Sequence, residues 1–221
     1  MAFFSGSNGL FKFTGRVLDV VVLSTLWLVC SLPIVTIGPA TAALYYSCVK
    51  CLRWKEPSPY RNFLSAFKDN LKSGTLATIF TLLLAFLLYC GDIFFLMASG
   101  TGETFWAMTQ GAYRVLLLLP LGLLTVMFPL LSRFTFTASA LWSTSLGVTI
   151  RHMPRVVLAG IVHGAALLAI AVGWFYGLML IVPALDMLVI SFLLEPVFRK
   201  YTPAEAEDEE VEASWYLRSN K

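Results

Sequence analysis

Residues 31–46 read SLPIVTIGPATAALYY, an apolar stretch interrupted by Pro33 and again by Pro39. Proline removes a backbone donor, and Pro33 disfavours helical geometry at Leu32. In the first turn of a helix, by contrast, the missing N–H of a proline is harmless. The stretch therefore reads as the turn of a tight helical hairpin over residues 16–52. One apolar run, Val17 to Ile34, goes out, and a shorter one, Pro39 to Val49, comes back. On this reading Gly38 and Pro39 supply the reversal, and the Thr36 hydroxyl caps the donors freed at the start of the second arm. Irregular backbone at membrane depth is tolerated only when buried in protein or facing water, so residues 31–41 are expected against the bundle and not against lipid. The second arm, about 15 residues or roughly 22 Å, is short for a full crossing; it tilts, thins the bilayer locally, or re-enters.

Composition points the same way as the hairpin. Of the 221 residues 58% are hydrophobic and only 13% charged, with a mean hydropathy of +0.77. A water-soluble domain is nearer half apolar and a quarter charged. Further apolar runs lie at 75–98, 112–132, 156–175 and 178–198, and about 20 residues of helix cross a hydrocarbon core. The expected fold is an all-α, polytopic transmembrane bundle of about six crossings, within a range of four to six. It forms one domain over residues 1–201, followed by an acidic tail, 202–221, expected to be disordered.

All of the 16 basic residues except Arg114 fall in segments 1–16, 50–74, 133–155 and 198–221. Cytoplasmic loops are enriched in Lys and Arg near span ends, so six crossings with both termini cytoplasmic, in the plasma membrane, account for this partition. A formal charge of +3 gives no reason to expect nucleic acid. Residues 58–73 carry Phe63, Leu64, Phe67 and Leu71 at helical spacing with Arg61, Lys68 and Lys72 on other faces, which predicts a separate interfacial amphipathic helix. Residues 132–155 are expected to extend the fourth span as a helix into the cytoplasm. There Arg133, Arg151 and Arg155 snorkel to the interface or bind lipid phosphate or a partner carboxylate. Six carboxylates between Glu205 and Glu212 form a solvated block, or one that folds back on the basic loops.

No P-loop, dinucleotide fingerprint, paired metal-binding histidines or nucleophile elbow occurs. No catalytic role, cofactor or metal is therefore expected. Cys48 and Cys51 form a C-x-x-C at the end of the second arm; a zinc site needs about two more ligands, so packing is the simpler reading, and no disulfide is expected. Charges at membrane depth are expensive unless paired or hydrated. Asp92 and Arg114 read as an ion pair across the third and fourth spans. His163 and Asp186 form either a proton- or solute-handling pair or polar groups satisfied inside the bundle by Ser, Thr, Tyr or water. Tyr45 and Tyr46, with Trp27, Trp106, Trp142 and Trp174, are interfacial anchors or a stacking surface for sugar.

The segments WLVCSLPIVTIGPATAALYY, YRNFLSAFKDNLKSG, LLSRF, RHMPR and PVFRKY occur in this order between residues 27 and 201, and together they resemble the YesL family of bacterial membrane proteins. The resemblance implies a small integral membrane protein of Gram-positive bacteria, encoded beside carbohydrate ABC importers and sensor kinases, with no established biochemical activity. The acidic extension 204–221 is not a feature of that family. The leading expectation is an accessory or regulatory component that contacts a carbohydrate ABC permease or a membrane sensor kinase. Its contact surfaces would be the hairpin, through Ser31, Leu32, Pro33, Thr36, Gly38, Pro39, Thr41, Tyr45 and Tyr46, and the basic interfacial helix. The rival is a small secondary transporter or channel built around His163 and Asp186, against which stands the lack of a visible internal repeat.

Overall fold

The computed structural model describes residues 9–99, 104–116, 118–134, 136, 138–171 and 179–201. Among these residues all regular structure is helical. Helix α1 (Gly9–Cys30) is followed by a 3-10 turn (Ile34–Thr36), α2 (Ile37–Ser47) and a π-helical turn (Cys48–Arg53). Then come α3 (Pro59–Ser99), α4 (Thr104–Leu116), α5 (Leu118–Arg133), α6 (Ala138–Arg151), α7 (Met153–Ala171), α8 (Val182–Phe198) and a closing 3-10 turn (Arg199–Tyr201). The expected tail at 202–221 lies outside the described residues, as does Trp174.

Among the described residues two stretches, Pro59–Ala98 of α3 and Met153–Ile170 of α7, are long and apolar enough to cross a membrane. Only 6% and 11% of their apolar windows are buried, so they present this surface outward, unlike the core helix of a water-soluble domain. The inside is supplied by α2, which is apolar all round and correspondingly buried all round. Gly38 to Tyr45 and Ser47 are all buried, enclosed by α1, α3, α5 and α8.

The seat of α2 on α3 explains the odd composition of the opening stretch. A Cβ added at Gly38 would run into the Thr78 hydroxyl and the Phe128 ring and would stand 2.8 Å from the Gly74 carbonyl oxygen. One added at Gly74 would stand 2.9 Å from both N and Cδ of Pro39. Two glycines thus face each other's helix so that the two backbones meet, the packing device of closely apposed membrane helices. The Gly38 N–H donates to Thr78 Oγ1 at 3.1 Å, and the Trp27 indole N–H ties the hairpin arms together through Thr41 Oγ1 at 3.1 Å.

Several expectations are corrected here. The reversal occupies residues 31–36, ahead of Gly38 and Pro39, which already sit in the first turn of α2. Thr36 does not cap α2: its hydroxyl lies 2.7 Å from the carbonyls of both Cys30, at the end of α1, and Pro33, in the turn, and Thr78 takes the capping role. The turn is not packed inside, since Leu32 is 79% exposed and Ile34 and Val35 also face outward. The interfacial helix and the third span are one unbroken helix of 41 residues. Gly74 lies within it without breaking it because the glycine serves the contact with Pro39. In the first part of α3 the buried face runs through Phe63 and Ala66, whereas Leu64 and Leu71 point outward. The fourth span does not extend beyond Arg133. The β-branched and aromatic run FTFT is a poor helix former, the Phe134 and Phe136 rings meet at a tilt with centroids 5.9 Å apart, and α6 is a separate helix lying against α3 and α5.

The close seat makes a test. Gly74→Ala is expected to lower the unfolding free energy in mild detergent by about 1–3 kcal/mol through overpacking. Gly111→Ala on the exposed side of α4, where nothing lies within 4 Å of the added Cβ, is expected to leave it unchanged or slightly raised. Thermal unfolding of both variants beside the parent chain reads the difference.

Candidate functional site

Helix α8 carries two buried carboxylates, Asp186 and Glu195. They are nine residues apart, which at 100° per residue places them on opposite sides of the helix, and each therefore serves a different neighbour.

Glu195 faces α2 and α5. It accepts from the Tyr45 hydroxyl at 3.0 Å and from Arg133 Nε at 3.2 Å, with Arg133 Nη2 on its second oxygen. The side chains of Arg133 and Glu195 are only 11% and 3% exposed. Arg133 therefore does not belong to an exposed basic face with Arg61, Lys68, Lys72, Arg151 and Arg155, all of which are exposed. It turns inward because a buried carboxylate without a cation would cost several kcal/mol. The Arg133 guanidinium also lies 5.5 Å from the Trp54 ring centroid. Tyr45, with no exposed surface, packs edge-on to Phe198 at 6.3 Å; it is neither an interfacial anchor nor a sugar platform.

The π-helical turn after α2 brings up the rest of this node. Its wider turn shifts the side chains that follow. Lys50 stands over Tyr46 and Trp54 at 5.5 and 5.7 Å and pairs with Glu56 at 3.3 Å. Arg53 donates to the Ser191 carbonyl at 2.9 Å and lies 4.6 Å from the Phe192 ring centroid. Lys55 and Ser58 adopt positive φ, 62° and 66°, conformations that non-glycine residues take at a cost, as the chain folds back from this turn into α3. A pocket of about 20 Å³ lies between Tyr45, Tyr46, Val49, Lys50, Trp54, Ser132 and Arg133. A single water needs about 10–15 Å³, so this pocket admits water and not a sugar.

Asp186 faces α7. Its Oδ2 lies 2.6 Å from His163 Nδ1, a short hydrogen bond. Its Oδ1 is buried and finds no hydrogen-bond partner among the described residues. Near the start of the same helix the Ala184 N–H donates to Ser24 Oγ at 3.2 Å, and the Cys48 thiol donates to the Ala184 carbonyl at 3.5 Å. Asp92 and Arg114 come together as well, at 3.4 Å and largely exposed on the Arg side. Next to them the Tyr113 hydroxyl donates to the Leu88 carbonyl at 2.9 Å.

Sequence reasoning singled out Asp186 and passed over Glu195, Arg53, Lys50 and Trp54. A signal for Glu195 was present: a carboxylate inside an apolar run requires a cation, and Arg133 closes a neighbouring run. Nothing in the residues announces the π-helical turn that positions the other three. All four cysteines are free, with Cys48 and Cys51 buried.

The buried network makes a test. Arg133→Ala, which orphans Glu195, is expected to cost about 3–5 kcal/mol. Tyr45→Phe, which removes one of several partners of Glu195, is expected to cost about 1.5–3 kcal/mol as a hydrogen bond to a charged group. Arg133→Met together with Glu195→Leu should recover much of the loss. Denaturant titration of the three variants beside the parent chain checks this order.

Comparison with curated proteins and with solved structures found no match to this chain. A family model described as "Protein of unknown function, DUF624" matches residues 20–91. The matched span runs from within α1 through the hairpin, α2 and the π-helical turn to Gly91 of α3, and so contains both sides of the Gly38–Gly74 contact. It stops before Arg133, His163, Asp186 and Glu195, so the likeness supports a family of unknown function for the hairpin and its seat.

Proposed function

We propose that this chain is a multi-pass plasma-membrane protein. In this reading α1, α2, α3, the α4–α5 pair, α7 and α8 make six crossings with both termini cytoplasmic. We further propose that it acts as an accessory or regulatory component of carbohydrate ABC import or of its sensing. The membrane reading is supported by the outward apolar surfaces of α3 and α7 and by the segregation of the basic residues in the sequence. The sugar-import context rests on the resemblance to the YesL family.

The observation that carries an accessory role over a transporting one is how the interior is filled. The middle of the bundle is occupied by α2, which touches other helices on every side, and the pocket beside Tyr45 has room for little more than a water. A solute path needs a polar cavity near the middle of the bundle. The larger cavity among the described residues, about 650 Å³ between Phe80, Leu83, Leu84, Leu87, Ser139, Trp142 and Ser143, is lined almost wholly by apolar groups and offers no polar path, so recognition falls to apolar and outer surface. The buried part of the hairpin is not available to a partner; the turn at Leu32, Ile34 and Val35 and the exposed face of α3 at Arg61, Leu64, Lys68, Leu71 and Lys72 are.

The short His163–Asp186 pair, with one carboxylate oxygen unpartnered, favours a second reading as a proton-linked secondary transporter. Affinity purification of the tagged chain in mild detergent, from native membranes of cells grown on plant polysaccharide, distinguishes the two. The accessory reading expects an ABC permease or sensor kinase among the captured proteins. It also expects at least a tenfold loss of that partner when Leu32, Ile34 and Val35 are changed to Ser, or Arg61, Lys68 and Lys72 to Glu. Capture of this chain alone contradicts that reading. Proton-coupled uptake in proteoliposomes that is abolished by His163→Ala would establish the other.

A further inference from the structure

The corner between α6 and α7 and the 3-10 turn that closes α8 meet at His152 and Tyr201. His152 Nε2 lies 3.3 Å from the Tyr201 hydroxyl, with the two rings edge to face at 6.1 Å. Three cations are gathered around this contact: Arg151 from the end of α6, Arg155 from the first turn of α7 and Lys200 from the closing turn. All three are exposed. Burial, and after it the charges of Lys200, Arg155 and Arg151, hold the His152 pKa below its ordinary value, so among the described residues the three cations reinforce one another at this corner. Of the carboxylates among the described residues, Glu56 is engaged with Lys50, Asp92 with Arg114, Glu195 with Arg133 and Asp186 with His163, and Asp69 accepts from Ser65 on its own helix.

The outer surface of α7 that starts at this corner is apolar. Met153, Val157, Leu158 and Ile161 are all exposed. An anionic head beside an apolar flank is the chemistry of a phospholipid; a free phosphate would use the cations and leave the flank unmatched.

We propose that Arg151, Arg155 and Lys200 form a headgroup site for an anionic phospholipid, with the exposed apolar flank of α7 receiving its acyl chain. The proposal rests on the reading of this chain as an integral membrane protein. In the bound state the phosphate sits among the three cations, and the Tyr201 hydroxyl and the His152 ring stand within the same cluster as hydrogen-bonding groups.

The test uses the full chain purified in a neutral detergent, titrated with dioleoylphosphatidylglycerol or dioleoylphosphatidylcholine and read by native mass spectrometry. A cation near an anionic lipid surface contributes about 1 kcal/mol, equivalent to about a fivefold change in affinity. Phosphatidylglycerol is therefore expected to bind at least tenfold more tightly than phosphatidylcholine. Each of Arg151→Gln, Arg155→Gln and Lys200→Gln is expected to weaken phosphatidylglycerol about fivefold and leave phosphatidylcholine unchanged. Arg155→Lys, which keeps the charge, should retain most of the binding even if a neutral variant fails to fold. An independent readout is the His152 imidazole resonance: a bound anion offsets the cations, so its pKa should rise when phosphatidylglycerol is present.

Equal affinity for the two lipids, or phosphatidylglycerol binding indifferent to all three substitutions, overturns the proposal. So does an equal rise in the His152 pKa with inorganic phosphate alone, which would mark a site for a soluble anion. Phosphatidylglycerol binding that emerges only after the carboxylates between Glu205 and Glu212 are changed to Gln would also overturn it, by assigning the corner to the chain's own tail. Release of the chain from membranes by alkaline carbonate would instead contradict the membrane reading itself, and is scored separately from lipid preference.

Discussion

The structure depends on the contact between Gly38–Pro39 at the start of α2 and Gly74 in α3. Because neither glycine carries a Cβ, the two backbones come close enough for the Gly38 N–H to reach Thr78 Oγ1 and for the Pro39 ring to lie against the Gly74 position. A short apolar helix cannot hold its place in a bundle by length, and α2 holds it by this contact and by burial on all sides. Its placement then fixes what surrounds it. The end of α2 and its π-helical extension deliver Tyr45, Lys50, Arg53 and Trp54 to the region where α5 and α8 bring Arg133 and Glu195.

Charges inside an apolar bundle constrain the remaining helices. Desolvating Glu195 and Arg133 costs several kcal/mol per ion, which their mutual attraction offsets only when geometry and additional hydrogen bonds are good. Tyr45 and the Trp54 ring supply those additions. Such a pair adds little net stability over a well-packed apolar alternative, but it penalises every arrangement in which α5 and α8 are out of register. Asp186 imposes the same kind of condition on α7 through His163. The two carboxylates of α8 therefore orient that helix between two different partners, which is how a helix of low amphipathicity comes to occupy a defined rotation.

The helical class was legible in composition and apolar run length, because those properties reflect bulk transfer free energies that require no knowledge of neighbours. The hairpin was legible in Pro33 and Pro39, which act on their own backbone. What escaped depended on contacts distant in sequence. Gly38 looked like a turn residue because a glycine can serve either backbone freedom or close approach, and only the presence of Gly74 opposite decides between them. Thr36 looked like a cap because its position is right for one; the nearer acceptors of Cys30 and Pro33 won its hydroxyl. Arg133 looked like a snorkelling cation because its partner stands 62 residues away. The single helix α3 was divided in two at Lys72 to Thr75 because a change from amphipathic to wholly apolar character resembles a boundary, although no residue there stops a helix.

The most direct test of this account is a double-mutant cycle between Gly38 and Thr78, measured as unfolding free energies in mild detergent. Gly38→Ala brings a methyl group against the Thr78 hydroxyl. Thr78→Ala alone removes the hydrogen bond to the Gly38 N–H, a loss of about 1 kcal/mol. If α2 is seated as described, replacing both residues relieves part of the overlap. The double variant will then be more stable than the sum of the single losses predicts, by at least about 1 kcal/mol, beyond the 0.3–0.5 kcal/mol expected of independent sites. Losses that simply add would mean that the two residues do not touch, and that α2 does not lie where the rest of the structure requires it.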